Sequence, residues 1–300
     1  MKIFYMCMAA CCAAFALTAC ENQIAGNENQ NDGLIADLLP STDMQEVTFN
    51  IVNFDKVLTE MGVLADTRAS LSGNATNLKV ALFKDGSKAY EITQTSSEEN
   101  FGTVTQNVKL LDYEIVVVAS KVEMTITSPT DIRPTAGKVN DTFYYYGTLT
   151  ADDLKSGAVE ISLKRAVAMF ELTTNAKPTN VKKFVLEMTG AGKQLNTTTG
   201  LAATTEKITV SFTYDTESRV HCGMLVFLPT ASTTVTVVAT AYDASDAVVK
   251  SFTFNDVQMK PNYRTQYEGN FFNVDGSWTV TIDNNAWEKM TEEPIPYGND

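Results

Sequence analysis

The chain has 300 residues, 44% of them hydrophobic, and sets 23 basic side chains against 36 acidic ones for a net charge of −13. That balance argues against nucleic acid as a partner, since phosphate binding needs Lys and Arg clustered on one face and the sequence has no such cluster; it equally disfavours adhesion to anionic lipid through charge. Four of the five cysteines fall within the first 20 residues and leave Cys222 alone in the remainder, so no internal disulfide and no structural zinc set is expected.

A single early lysine, Lys2, precedes an apolar run over residues 3–19 that closes on Leu17, Thr18, Ala19 and Cys20. The run is short for a membrane-spanning helix, whereas small residues just ahead of a cysteine suit a signal peptidase. Residues 1–19 therefore read as a bacterial lipoprotein signal. Cys20 becomes the first mature residue, carries a thioether-linked lipid and tethers the exported chain to the outer membrane. Residues 20–46 open with Asn, Gln, Gly and acidic side chains and read as a flexible tether, with too little apolar surface to repay ordering.

Val47, Phe49 and Ile51 then alternate with Thr48, Asn50 and Val52, the period-2 pattern of a half-buried strand. A connector follows, in which Asp55 is expected to cap a helical turn bearing Val57, Leu58 and Met61, Gly62 to end it, and Asp66, Thr67 and Arg68 to form a polar stretch. Beyond Arg68 the pattern is almost wholly β. Leu78, Val80 and Leu82, then Tyr113, Ile115 and Val117, then Val159, Ile161 and Leu163 form one series of strands. Val116 and Val118 mark the second of these as covered on both faces. Asp85 with Gly86 signals a two-residue hairpin, and residues 150–157 a short helical turn.

A second series runs through 167–172, 184–188, Ile208 with Val210 and Phe212, 225–228, 235–239, Phe252 with Phe254, and Trp278 with Val280 and Ile282. Short strands at this spacing, between loops rich in Thr, Asn, Gly and Asp, predict an all-β fold of two tandem β-sandwiches meeting near Lys164 and Arg165. The expected domains are thus 47–164 and 165–300.

Chemistry has little to work with. His221 is the only histidine, and its neighbour Cys222 should project to the opposite face of a strand, so a nucleophile and base pair is not expected; the chain reads as no enzyme, with no metal and no cofactor. Gly190, Gly192 and Lys193 lack the spacing of a phosphate loop and read as a hairpin turn. In the aromatic run Phe143, Tyr144, Tyr145 and Tyr146, two rings should enter the core and two face outward. A surface carbohydrate platform built on the tyrosines is the rival reading of that run.

Arg68 is the only arginine of the first 68 residues and lies in the connector between the strand 47–52 and everything it would complete. Cleavage there by a trypsin-like protease would sever that strand and open a groove able to take an extended strand from another molecule. These residues resemble the FimA-type fimbrillins, subunits of type V pili on Gram-negative anaerobes. The resemblance rests on the lipobox at Cys20, the strand 47–52 followed by Arg68 and Ala69, the strand 78–83, and 111–120 (LDYEIVVVAS). It continues through 163–170 (LKRAVAMF) and 257–272 (VQMKPNYRTQYEGNFF).

The resemblance implies two transthyretin-like β-sandwich domains, removal of the first strand by cleavage between Arg68 and Ala69, and polymerisation by strand exchange into an extracellular fimbrium that contributes to adhesion. It places the donor strand in the C-terminal segment, with Trp278, Val280, Ile282 and Trp287 as candidates. The implied partners are other copies or related fimbrial subunits, the protease, and a host surface ligand. Glu288, Glu292, Glu293 and Pro294 make this segment more acidic and proline-broken than an ideal donor, which keeps open a lipid-anchored tip or accessory subunit as the alternative.

Overall fold

The computed structural model describes residues 34–40, 43–55, 71–273 and 277–283. Cys20, Arg68, Ala69, Trp287 and the expected helical turn bearing Val57 lie outside these residues. Within them the chain is all-β, built from several sheets packed as β-sandwiches.

The strands up to Arg165 form one seven-stranded sheet. Its members are β1 (Met44–Asp55), β2 (Asn77–Lys84), β3 (Ser87–Thr95), β4 (Thr103–Lys109), β5 (Tyr113–Ser120), β8 (Thr142–Leu149) and β9 (Ala158–Arg165), in the order β3-β2-β5-β8-β9-β1-β4. The β2–β3 hairpin turns on Asp85 and Gly86, both at positive φ (50° and 79°), the twist that a two-residue turn needs to match its flanking strands. Thr150 and Asp153 form a capping box that starts the short helical turn α1 (Ala151–Lys155). The β-branched run in β5 is buried along its length: Ile115 and Val117 face one core, Val116 and Val118 another.

The two edges of this sheet come together. The Gln94 amide on β3 donates to the Thr103 carbonyl (2.9 Å) and accepts from the Gly102 N–H (3.0 Å), and the Lys109 N–H on β4 donates to the Tyr90 hydroxyl (3.1 Å). The rolled sheet encloses Val47, Phe49, Leu78, Val104, Ile115, Ile161 and their neighbours. Residues 34–40, expected within the tether, pack here too. The Ile35 N–H donates to the Lys88 carbonyl, Lys109 Nζ donates to the Leu39 carbonyl (2.8 Å), and Ile35, Ala36 and Leu39 lie against the core.

The later strands β10 (Ala168–Thr174), β11 (Lys183–Ala191), β14 (Glu206–Thr213), β15 (Val220–Val226), β16 (Thr233–Tyr242), β17 (Val248–Met259), β18 (Arg264–Gly269) and β19 (Trp278–Asp283) make two four-stranded sheets, β15-β10-β18-β19 and β14-β11-β16-β17. Phe170, Phe184, Leu186, Val237 and Phe254 fill the core between them. A fourth sheet draws on both sides of the expected boundary: β6 (Met124–Ser128) and β7 (Asp131–Pro134) pair with β12 (Leu195–Asn196) and β13 (Leu201–Ala202). A third core, holding Phe83, Val116, Ile132, Val167, Met169 and Phe227, crosses the same boundary. At the boundary itself the Arg165 guanidinium donates twice to Asp141 (2.8 and 3.2 Å) and once to Asn262 (3.2 Å), and stacks over Phe143.

Residues 190–193 do not form the expected hairpin turn. β11 continues to Ala191 through an irregularity after Met188, and Gly192 exchanges two backbone hydrogen bonds with Phe227. A Cβ at Gly192 would lie 2.0 Å from the Thr204 carbonyl oxygen, so glycine is required here for close backbone approach rather than for a turn.

Candidate functional site

The site follows from the placement of β1. It is flanked on both sides: antiparallel to β4 with Phe49 opposite Val104, and parallel to β9 with Phe49 beside Val159. Val47 and Phe49 are fully buried and Ile51 partly so, while Thr48 on the other face meets Thr105 at 3.1 Å through its hydroxyl. Alternation in the sequence thus becomes an inside-outside division, as expected. Burying side chains of this kind contributes about 1.5–3 kcal/mol each. β4 has no strand neighbour other than β1 among the described residues. Taking β1 out would leave a slot whose walls are the facing edges of β4 and β9 and whose floor is apolar.

β19 presents the opposite situation. Among the described residues it pairs with β18 alone and forms the edge of its sheet. Trp278 packs on Phe252, Phe254 and Tyr267 with ring centroids 4.9–6.4 Å away, but its indole N–H is buried without a hydrogen-bond partner. Val280 and Ile282 remain 47% and 42% exposed. The pattern Trp-Thr-Val-Thr-Ile of β19 repeats the alternation Val-Thr-Phe-Asn-Ile of β1. One strand is fully seated; the other carries the same pattern with its apolar residues partly in water.

The remaining sequence candidates resolve as structural elements. His221 lies on the outer face of β15, where Nε2 stands 3.0 Å from Glu171, and Cys222 points into the core. Burial pushes the Cys222 thiol up, away from reactivity. Glu171 is 1% exposed and accepts hydrogen bonds from Arg264 (2.8 Å) and Gln266 (2.8 Å) as well. Burial alone would raise its carboxyl, but the hydrogen bond from His221 and the positive charge of Arg264 outweigh it and hold the group below the usual range. The aromatic run divides as its alternation requires: Phe143 and Tyr145 face the first core. Tyr144 and Tyr146 pack against the boundary core and do not stand free as an outward pair. Among the described residues no group of three or more His, Cys, Asp or Glu is placed to hold a metal.

No protein-family model and no curated relative matches the chain. Solved structures do. A candidate polysaccharide-binding protein from Bacteroides thetaiotaomicron aligns at TM-score 0.51 and 11% identity, over 80% of this chain and 96% of that one. A candidate adhesin from the same species aligns at 0.49 and 10%, over 81% and 97%. A fimbrial assembly protein from Parabacteroides distasonis aligns at 0.38 and 15%, over 81% and 99%. At 11% identity the first of these alignments speaks to the fold alone.

Proposed function

We propose that the chain is a structural subunit of a cell-surface fimbria. It is exported as a lipoprotein precursor anchored through Cys20, cut between Arg68 and Ala69 by an arginine-specific protease, and polymerised when the C-terminal segment of one copy replaces β1 of the next. The observation that carries this reading is the seating of β1. It sits between two neighbours, with its apolar face in the core, and is joined to the next described residue only through 56–70, which contain Arg68. Removing it exposes two unpaired strand edges at once, a template for an incoming strand. The edge position and exposed apolar side chains of β19 make that segment the best-matched donor in the chain.

An incoming strand must run in the direction of β1, parallel to β9, and present alternate apolar side chains to the pockets of Val47, Phe49 and Ile51. The test is Arg68→Ala in cells that carry the fimbria. The variant should accumulate as folded, lipidated monomer, and N-terminal sequencing of unmutated surface material should read from Ala69. Fibres of normal length from the variant would remove cleavage from the mechanism.

A further inference from the structure

Residues 34–40 make a second hold on the segment that carries β1. They cross the seam where the two ends of the rolled sheet, β3 and β4, come together. On one side the Ile35 N–H donates to the Lys88 carbonyl of β3 (3.0 Å); on the other the Leu39 carbonyl accepts from Lys109 Nζ of β4 (2.8 Å). Between these points the short turn Ala36–Leu38 is closed by the Leu38 N–H on the Ile35 carbonyl (2.9 Å). Further on, the Asp43 carbonyl accepts from the Leu110 N–H (3.0 Å), and the β1–β4 ladder starts at the next residue, Met44.

The turn is two-faced. Ile35, Ala36 and Leu39 lie against the first core, whereas Leu38 is 83% exposed. Its anchor on β4 is held from both sides: the Lys109 N–H donates to the Tyr90 hydroxyl and the Lys109 carbonyl accepts from the Tyr113 hydroxyl, each at 3.1 Å. The two tyrosine rings meet edge to face, 5.9 Å between centroids. A segment serving only as a spacer would be polar and solvated, and would need no such seat.

Position along the chain gives the turn its consequence. Residues 34–40 precede Arg68, so a cut there leaves them joined to β1 on one side and to Cys20 on the other. Cys222 is the only cysteine after Arg68 and is buried, so the body keeps the severed segment by non-covalent contacts alone. β1 is then free to fray from its cut end, but its other end is pinned across the seam. While either part stays seated, the other rebinds at the high local concentration of a tethered group. Given the cleavage and the lipid proposed above, we infer that residues 34–40 are a strap that retains the severed segment on its subunit. Release, rather than cleavage, then times both the loss of the membrane anchor and the opening of the β1 slot.

The experiment uses the mature chain from Cys20, made without lipid and labelled with fluorescein on the Cys20 thiol. It is cut at a sequence-specific protease site inserted after Arg68. Gel filtration should recover the label with the body. Chased with excess unlabelled segment, the label should leave faster by roughly tenfold or more when the segment carries Ile35→Ser with Leu39→Ser, and at the unmodified rate when it carries Leu38→Ser. These substitutions all lie in the departing segment, so the body is the same throughout. A second measurement needs no variant: on the unmodified cut chain, a peptide of residues 34–55 should displace the label at a concentration lower by roughly tenfold or more than a peptide of residues 43–55. Equal release rates or equal potencies overturn the proposal, as does label that separates from the unmodified body at once. Faster release from the double variant, with no fibres formed by the emptied body, upholds the strap and ends the strand-exchange reading. Fibres from bodies that release both segments at one rate end the strap and leave strand exchange intact.

Discussion

Replacing Phe49 by alanine measures how much of the full-length chain's stability resides in β1. The ring is fully buried, with Val104 and Val159 beside it on the two neighbouring strands. Truncating such a phenylalanine costs about 3–5 kcal/mol, the lost transfer free energy plus the cavity left in a core that cannot fully collapse. Against a total of about 5–15 kcal/mol for a folded domain this is a large fraction. Equilibrium urea unfolding of the uncleaved chain, followed by circular dichroism, should show that loss, and Phe49→Asp should exceed it because a carboxylate would be buried without a partner. Glu46→Ala, at an exposed position of the same strand, should stay within about 0.5 kcal/mol. Material that has lost residues through Arg68 and accepted a donor should be indifferent to the Phe49 substitution, since the side chain has left. A cost below about 1 kcal/mol in the uncleaved chain would refute the claim that β1 is an integral part of this core.

Arg165→Ala should destabilise the chain by about 3–5 kcal/mol in the same assay, because it leaves Asp141, 9% exposed, without its bidentate partner; Arg165→Ala combined with Asp141→Asn should recover part of that loss. Glu171 has a folded-state pKa below its ordinary value of 4.5, so its contribution is complete above that value and is lost as pH falls through the lowered one. Glu171→Gln should therefore flatten the decline in melting temperature below about pH 4.5. Gly192→Ala should cost about 1–3 kcal/mol, since the added methyl meets the Thr204 carbonyl and the backbone must shift, with the loss read in urea unfolding.

Strong alternation makes a strand legible in the amino-acid sequence alone. The patterns at Val47 to Ile51, Tyr113 to Val118 and Trp278 to Ile282 each mark a real strand, and the Asp85-Gly86 turn is where its dipeptide places it. β4 is not legible in this way, because Thr103–Lys109 offers only Val104 and Val108 to the core with Gln106 between them, and its strand character comes from pairing with β1. β18 escapes for a related reason: its outer face carries Arg264 and Gln266, which gather around Glu171 from β10, and composition gives no sign of that meeting. Residues 190–193 mislead because glycine serves close approach as readily as turning. The packing of Ile35 and Leu39 is hidden beside a polar, Asn-rich stretch, and the two-sided seating of β1 depends on partners far along the chain that no local pattern reveals.

The parallel pairing of β1 with β9 has a consequence for biogenesis. A strand made among the first must wait for Val159, roughly a hundred positions later, before one of its two ladders can close. Long-range pairing of this kind is slow to form and leaves half-built sheets open to wrong partners. Before its downstream partners are made the polypeptide therefore passes through a stage in which its earliest hydrophobic ribbon is unsheltered, and a holdase chaperone or rapid delivery of the downstream sequence would decide how much of it matures.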